Sequence, residues 1–122
     1  MGDKIYISSY SRAEALQDGL LIDVSEMARE AGFKVPVAVT HALWHVYIIP
    51  HPEARGQSEA GRLWDVLTVA RAYAKYAKTH EMLFGIDFIM GKTTMENVTL
   101  KSHILPGDNQ EPVMTIMLQN ED

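Results

Sequence analysis

The spacing of hydrophobic residues changes along the chain, from a helical period in the middle to a strand period in the last third. The most regular helical stretch runs from Glu59 to Lys78. Its apolar residues recur at steps of three and four, namely Leu63, Leu67, Ala70, Ala74 and Ala77. Such spacing places them on one side of an α-helix. The pattern predicts one long helix that organises the core.

The strand-rich part consists of three runs, over 82–90, 97–105 and 112–118. Turn-forming residues divide them, at Gly91-Lys92-Thr93-Thr94 and at Pro106-Gly107-Asp108-Asn109. Three consecutive strands joined by short turns predict an antiparallel meander. A P-loop is excluded because its spacing fails: five residues separate Gly85 from Gly91 where the motif needs about four, and those five are strand formers.

Two short helices are predicted near the start. Ser11 and Glu14 form a capping box, which predicts a helix over 12–18 that Gly19 ends. The next residues predict a short, largely buried strand, Leu20-Leu21-Ile22-Asp23-Val24.

The second short helix begins near Ser25 and ends at Gly32, with Phe33 contacting its last turn in a Schellman ending. From 35 to 49 the pattern predicts a strand followed by a helix that Thr40 caps. The predicted fold class is therefore α+β: an antiparallel sheet of three to four strands against one long and two to three short helices.

Composition narrows the class of protein. The chain has 122 residues, the size of one domain, so a single α+β domain over 1–122 is expected. Its net charge of −5 makes nucleic acid an unfavoured partner. There is no cysteine and no apolar segment of membrane-spanning length, so a cytoplasmic location without membrane insertion is expected.

Several clusters suggest chemistry but have simpler explanations. His41 and His45 share a helical face, yet two histidines make no zinc site, and neither a metal nor another cofactor is predicted. Glu26 and Glu30 read as a charged helix face with Arg29, not as a catalytic pair.

The long helix carries one cationic stripe near its end. Arg71, Lys75 and Lys78 lie on one side with Tyr73 and Tyr76 between them, a mixture that can follow a nucleic-acid strand. A solvated helix face that complements the helix dipole explains the same residues more simply.

Trp44 and Trp64 are the largest side chains, and each serves either as a core anchor or as a pocket wall. Arg62 and Asp65 flank Trp64, and Thr40 lies one helical turn before Trp44. A pocket, if the fold forms one, is expected between the two helices that carry the tryptophans.

One further signal is spread over most of the chain, in sequence blocks at 10–15, 18–19, 21–25, 28–33, 36–40, 61–67, 98–101, 106–109 and 111–118. Through these blocks the chain resembles a family of small bacterial proteins of unknown function that plasmids and phages often carry. It supplies no catalytic residues. It implies, by association, an accessory role such as modulating a host or element protein.

The favoured hypothesis is a non-enzymatic accessory or regulatory protein that binds a protein partner or small ligand. Its predicted binding residues are Arg12, Arg29, Trp44, Arg62, Trp64, Asp65 and Lys101. The alternative is a small enzyme acting on a nucleotide-like or other anionic substrate, with Arg12, Arg29 or Lys101 contacting the anion and Asp23 or Asp65 as base. That alternative requires the residues to converge in one concave site. A homodimer, through either an exposed strand edge or the surplus apolar surface of the long helix, is a further expectation.

Overall fold

A computed structural model of the chain describes residues 10–121. Its helices are α1 (Arg12–Gln17), α2 (Ser25–Glu30), α3 (His41–Leu43, continued by a π-helix over Trp44–Ile48) and α4 (Glu59–Ala74). Its strands are β1 (Leu21–Asp23), β2 (Val37–Thr40), β3 (Glu81–Ile89), β4 (Met95–Pro106) and β5 (Pro112–Leu118). The α+β class, with one long helix, is confirmed.

The sheet differs from the predicted one. It has five strands in the order β1-β2-β5-β4-β3, and it is mixed because β2 pairs with β5 in parallel. The β3-β4-β5 meander and the hairpin turn at Gly91 are as predicted. The prediction of three to four antiparallel strands was wrong because the β2–β5 pairing joins residues more than seventy positions apart, such as Val37 and Met114.

Local signals set the ends of the short helices. Ser11 Oγ accepts the Glu14 amide at 3.0 Å, and Glu14 Oε1 accepts the Ser11 amide at 3.1 Å, which completes the capping box. At the end of α2, Gly32 has φ +106° and the Phe33 amide donates to Ala28 O at 2.9 Å. This is the predicted Schellman ending, with Gly in the backbone region that other residues avoid.

The core lies between one face of the sheet and the helices α2, α3 and α4. Val66, Leu67 and Ala70 of α4 pack with Leu100 and Ile116, all fully buried. The opposite face of the central strand β5 is also covered, since Val113, Thr115 and Met117 are at most 5% exposed. Both faces of β5 are therefore buried, whereas β3 forms a sheet edge.

Within residues 10–121, no helix has the length and apolar character needed to cross a membrane.

Candidate binding groove

Arg62 lies inside the protein instead of on a binding face. Its side chain is 2% exposed although it begins the second turn of α4. Its hydrogen-bond acceptors are Tyr47 O (2.7 Å), Ile89 O (2.7 Å), Gln57 Oε1 (3.1 Å) and Met90 Sδ (3.5 Å). The guanidinium also lies 5.0 Å from the Phe88 ring centroid. Arg62 therefore ties the end of the π-helix and the end of β3 to α4.

The pKa of Arg62 is lowered, because burial penalises its charge, while Asp65 opposes this effect. Its backbone acceptors have a structural reason. Tyr47 lies in the last turn of the π-helix, where carbonyls lack intrahelical donors, and Ile89 ends an edge strand. Arg62 supplies the missing donors to both.

Arg12 occupies the other face of the sheet. Its guanidinium donates to Thr115 Oγ1 at 2.8 Å and Met114 O at 2.9 Å, and its backbone amide donates to Asp108 at 2.8 Å. Burial lowers its pKa, and Asp23, among other carboxylates, opposes the effect. These contacts join the N-terminal, turn and C-terminal blocks of the family resemblance. They dock α1 on β5 and give each terminal nitrogen of Arg12 an acceptor, while Arg12 also lines an open cavity of about 440 Å³ beside the β4–β5 turn.

Lys101 shares that face, since it alternates with the core residue Leu100 along β4. Its Nζ donates to Glu121 O, which holds the C-terminal turn. Arg29, Trp64 and Asp65 lie on the helical side and are exposed. The structure thus divides the predicted residues between two faces of the sheet and does not form the single concave site that the enzyme hypothesis requires.

Trp44 lines a cavity of about 340 Å³. The cavity lies between β1, α2, the π-helix and α4, in part between the two helices where a pocket was expected. Its polar lining is acidic and comes from Asp23, Glu26 and Glu30. Trp64 does not contribute to it.

His41 and His45 stack on one another, with ring centroids 3.9 Å apart. His45 Nδ1 lies 3.0 Å from His41 O. Among residues 10–121, no group of three or more His, Asp or Glu side chains has the geometry to hold a metal ion.

A basic groove opens at the C-terminal end of α4. It has a volume of about 280 Å³. We call it the basic groove. Its lining consists of Gly32, Phe33, Lys34, Val35, Arg71, Ala74, Lys75, Ile104 and Met114. The residues come from the α2–β2 loop, from α4 and from the adjoining ends of β4 and β5. Three cations surround an apolar floor, and the lining has no acidic residue.

Gly32 and Arg71 connect the two walls of this groove. Arg71 Nε donates to Gly32 O at 3.1 Å. A Cβ at position 32 would lie 3.1 Å from that same Nε, closer than ordinary contacts allow. Gly32 therefore both ends α2 and leaves space for the arginine, which keeps Arg71 at the rim.

The apolar floor continues past the groove toward β3. A neighbouring cavity shares Ala74, Ile104 and Met114 with it and adds Met82 and His80. Ile104 is 39% exposed, so aliphatic surface on this floor remains open to solvent. The surface can therefore accept apolar side chains over a longer path than the groove alone.

The sequence indicated two of the three cations of this groove. Arg71 and Lys75 belong to the predicted cationic stripe, but Lys34 was missed because it lies in a loop after Gly32, far from α4 in sequence. The available signal was the Schellman ending: it reverses the chain at Gly32, so that the following residues return past the helix that packs on α2. The periodic pattern alone gave no such contact.

By fold and surface, this protein is a small α+β domain with a mixed sheet and a basic groove on its helical side. The family model described as a family of unknown function (DUF6573) matches residues 2–122, and the chain belongs to this family. No curated protein and no solved structure matches the chain significantly.

Proposed function

We propose that this protein is a non-enzymatic accessory or regulatory protein that binds an acidic, aliphatic segment of a protein partner in the basic groove. The observation that carries the proposal is charge segregation. The chain has a net charge of −5, yet Lys34, Arg71 and Lys75 converge on a groove whose lining has no carboxylate. Such local charge attracts and orients a partner of opposite sign.

The floor of the groove favours a peptide over nucleic acid. Val35, Ala74 and Ile104 offer aliphatic contacts, and Phe33, the aromatic residue in the lining, is only 7% exposed, whereas single-stranded nucleic acid needs accessible aromatic platforms along a cationic track. Tyr73 does not line the groove but tilts toward Phe84, with ring centroids 6.2 Å apart. A peptide in which acidic and aliphatic residues alternate can place its acidic side chains against the basic rim and its aliphatic side chains on the floor.

The groove is also shallow for an enclosed small-molecule site. Its 280 Å³ lies at the lower limit of about 300 Å³ for ligand pockets. A peptide segment that lays one or two side chains on the floor needs no deeper cavity. The biological setting that we propose is a role on behalf of a mobile element, which rests on the family resemblance alone. The cytoplasm, as a reducing compartment, fits a chain without cysteine.

Peptide display tests the proposal. Random peptides are selected on the parent, on Lys34→Glu/Lys75→Glu and on the matched control Arg55→Glu/Lys92→Glu, which makes the same charge change at exposed positions outside the groove. Arg71 is left intact because it also bonds to the backbone. We expect enrichment of peptides rich in Asp or Glu and in Leu, Ile or Val on the parent and the control only.

Two results would contradict the proposal. Enrichment that survives the Lys34→Glu/Lys75→Glu change would place binding elsewhere. Retention of oligothymidylate by the parent, lost in the same variant and undisturbed by the selected peptides, would favour nucleic acid. Unfolding curves of all three proteins must coincide for the comparison to be valid.

A further inference from the structure

Strand β3 is an edge strand whose outward hydrogen-bonding groups can be identified from its pairing with β4. Two bonds continue the β3–β4 ladder at its ends: Ile104 N donates to His80 O at 2.8 Å, and Met90 N donates to Thr94 O at 2.9 Å. Hydrogen-bonded and non-hydrogen-bonded pairs alternate in an antiparallel ladder. Even-numbered residues of β3 therefore bond to β4, and odd-numbered residues direct their N–H and C=O groups away from the sheet.

Backbone groups at both ends of this outward row already bond to side chains of the same chain. Thr79 Oγ1 donates to Glu81 O at 2.9 Å and accepts from Glu81 N at 3.2 Å. At the other end, Ile89 O accepts from buried Arg62 at 2.7 Å. Among residues 10–121, no backbone partner is present for the intervening outward residues, which are Leu83, Gly85 and Asp87.

We propose that this edge pairs with the same edge of a second copy of the chain, around a two-fold axis at Gly85. The three open residues are symmetric about that position. Gly85 then faces Gly85 of the second copy. Leu83 of each copy faces Asp87 of the other, so this pair occurs twice. Each of these three opposed pairs exchanges two hydrogen bonds, which uses the outward N–H and C=O groups of Leu83, Gly85 and Asp87 and none of those that Thr79 or Arg62 already satisfies.

The side chains at the edge agree with this pairing. Edge strands that must stay unpaired commonly carry lysine or proline, and neither occurs between Glu81 and Ile89. Leu83 is 50% exposed on one face, and Tyr73, which is 46% exposed, lies beside Phe84 on the other. Asp87 accepts a hydrogen bond from Asn97 Nδ2 at 2.8 Å, which turns its charge toward β4 instead of the partner.

Single-cysteine cross-linking tests both the dimer and its register, because the chain has no cysteine of its own. A Cβ at Gly85 makes only ordinary contacts, with Asn97 Nδ2 nearest at 3.8 Å, so Gly85→Cys fits the fold. Opposed Cα atoms about 5.5 Å apart are within disulfide range. We expect Gly85→Cys to cross-link to itself under mild oxidation, and Leu83→Cys to cross-link to Asp87→Cys when the two are mixed.

The register control is that Leu83→Cys alone and Asp87→Cys alone stay uncross-linked, as does Lys92→Cys at an exposed turn. In parallel, sedimentation equilibrium should give twice the chain mass for the parent. Gly85→Pro removes an outward N–H without removing a β4 bond, and we expect it to weaken dimerisation about tenfold or more.

A parent that sediments as a monomer at the highest soluble concentration would overturn the proposal. So would a dimer that Gly85→Pro leaves intact, or one in which Gly85→Cys cross-links no faster than Lys92→Cys. This inference is independent of the proposed function, since the peptide-display test and the cross-linking test use different surfaces.

Discussion

Arg62 and Arg71 lie on the same helix, α4, but they have opposite roles at its two ends. Arg62 is 2% exposed, and its bonds reach backbone carbonyls of Tyr47 and Ile89. Arg71 is exposed and makes one backbone bond, to Gly32, at the rim of the basic groove. The arginine near the N-terminal end of α4 holds neighbouring elements together. The arginine near the C-terminal end is exposed, so its positive charge can contact a partner.

Burial and bonding, not residue type, decide which of these cations is open to a partner. In the sequence, both arginines are ordinary members of a periodic helix. In the structure, the Arg62 guanidinium has acceptors for its N–H groups from four residues, whereas Lys34, Arg71 and Lys75 share a solvent-facing rim.

Arg62→Met removes the buried guanidinium and its hydrogen bonds. It leaves the Tyr47 and Ile89 carbonyls without their donor, and we expect a loss of about 3 kcal/mol in the free energy of unfolding. Urea unfolding followed by circular dichroism measures it. The matched variant Arg71→Met should lose less than about 1 kcal/mol, because its bond is exposed. Equal losses in the two variants would contradict the comparison.

Gly32→Ala should affect fold and groove together. Its φ of +106° disfavours a Cβ, and that Cβ would also crowd Arg71 Nε. We expect a loss of about 1–2 kcal/mol in stability and weaker binding of any peptide selected on the groove. Gly56→Ala serves as the control, since its φ is +77° but nothing lies within 4 Å of the added Cβ. It should lose stability without losing binding.

His103 adds a case between buried Arg62 and exposed Arg71. It is intermediate in burial and lies on the face of the sheet that points away from α4. Burial lowers its pKa below 6.5; Glu81 opposes this shift, whereas Lys101, Arg12 and His80 add to it. The unfolded chain therefore binds the proton first as the pH falls. Its contribution to stability should be complete above pH 6.5 and should decrease as the pH falls from there toward the lower, folded-state pKa.

Measurements of the free energy of unfolding at about pH 7.5 and about pH 5.5 check the direction of this pH dependence. The parent should lose more stability than His103→Gln between the two conditions. The control His45→Gln changes an exposed histidine and should follow the parent. If His103→Gln loses as much stability as the parent, burial of this ring does not favour its neutral form.

Much of the fold was predictable because its signals are local. The capping box at Ser11, the Schellman ending at Gly32 and the period of α4 each involve residues within a few turns of one another. The parallel β2–β5 pair was not predictable in this way. Its strand β2 has only four residues, and its partner lies far along the chain.

The candidate site was less predictable than the fold, for a related reason. Arg62 is polar in a helical repeat, and a sequence pattern does not reveal that its position turns inward toward open carbonyls of the π-helix and β3. Lys34 joins Arg71 and Lys75 only after α2 packs on α4 and the chain reverses at Gly32. A groove built from separated segments leaves no periodic signal for a single sequence to show.

The most direct test of the proposed function is an amide NMR titration with the most enriched acidic peptide. We expect the largest chemical-shift changes to cover Gly32–Val35 and Arg71–Lys75 and to extend along the floor to Ile104 and Met114. Salt should reduce the affinity, because charge attracts the peptide. Shifts centred instead on Trp44 and the acidic cavity beside it, or spread without a centre, would contradict the assignment of the basic groove as the binding site.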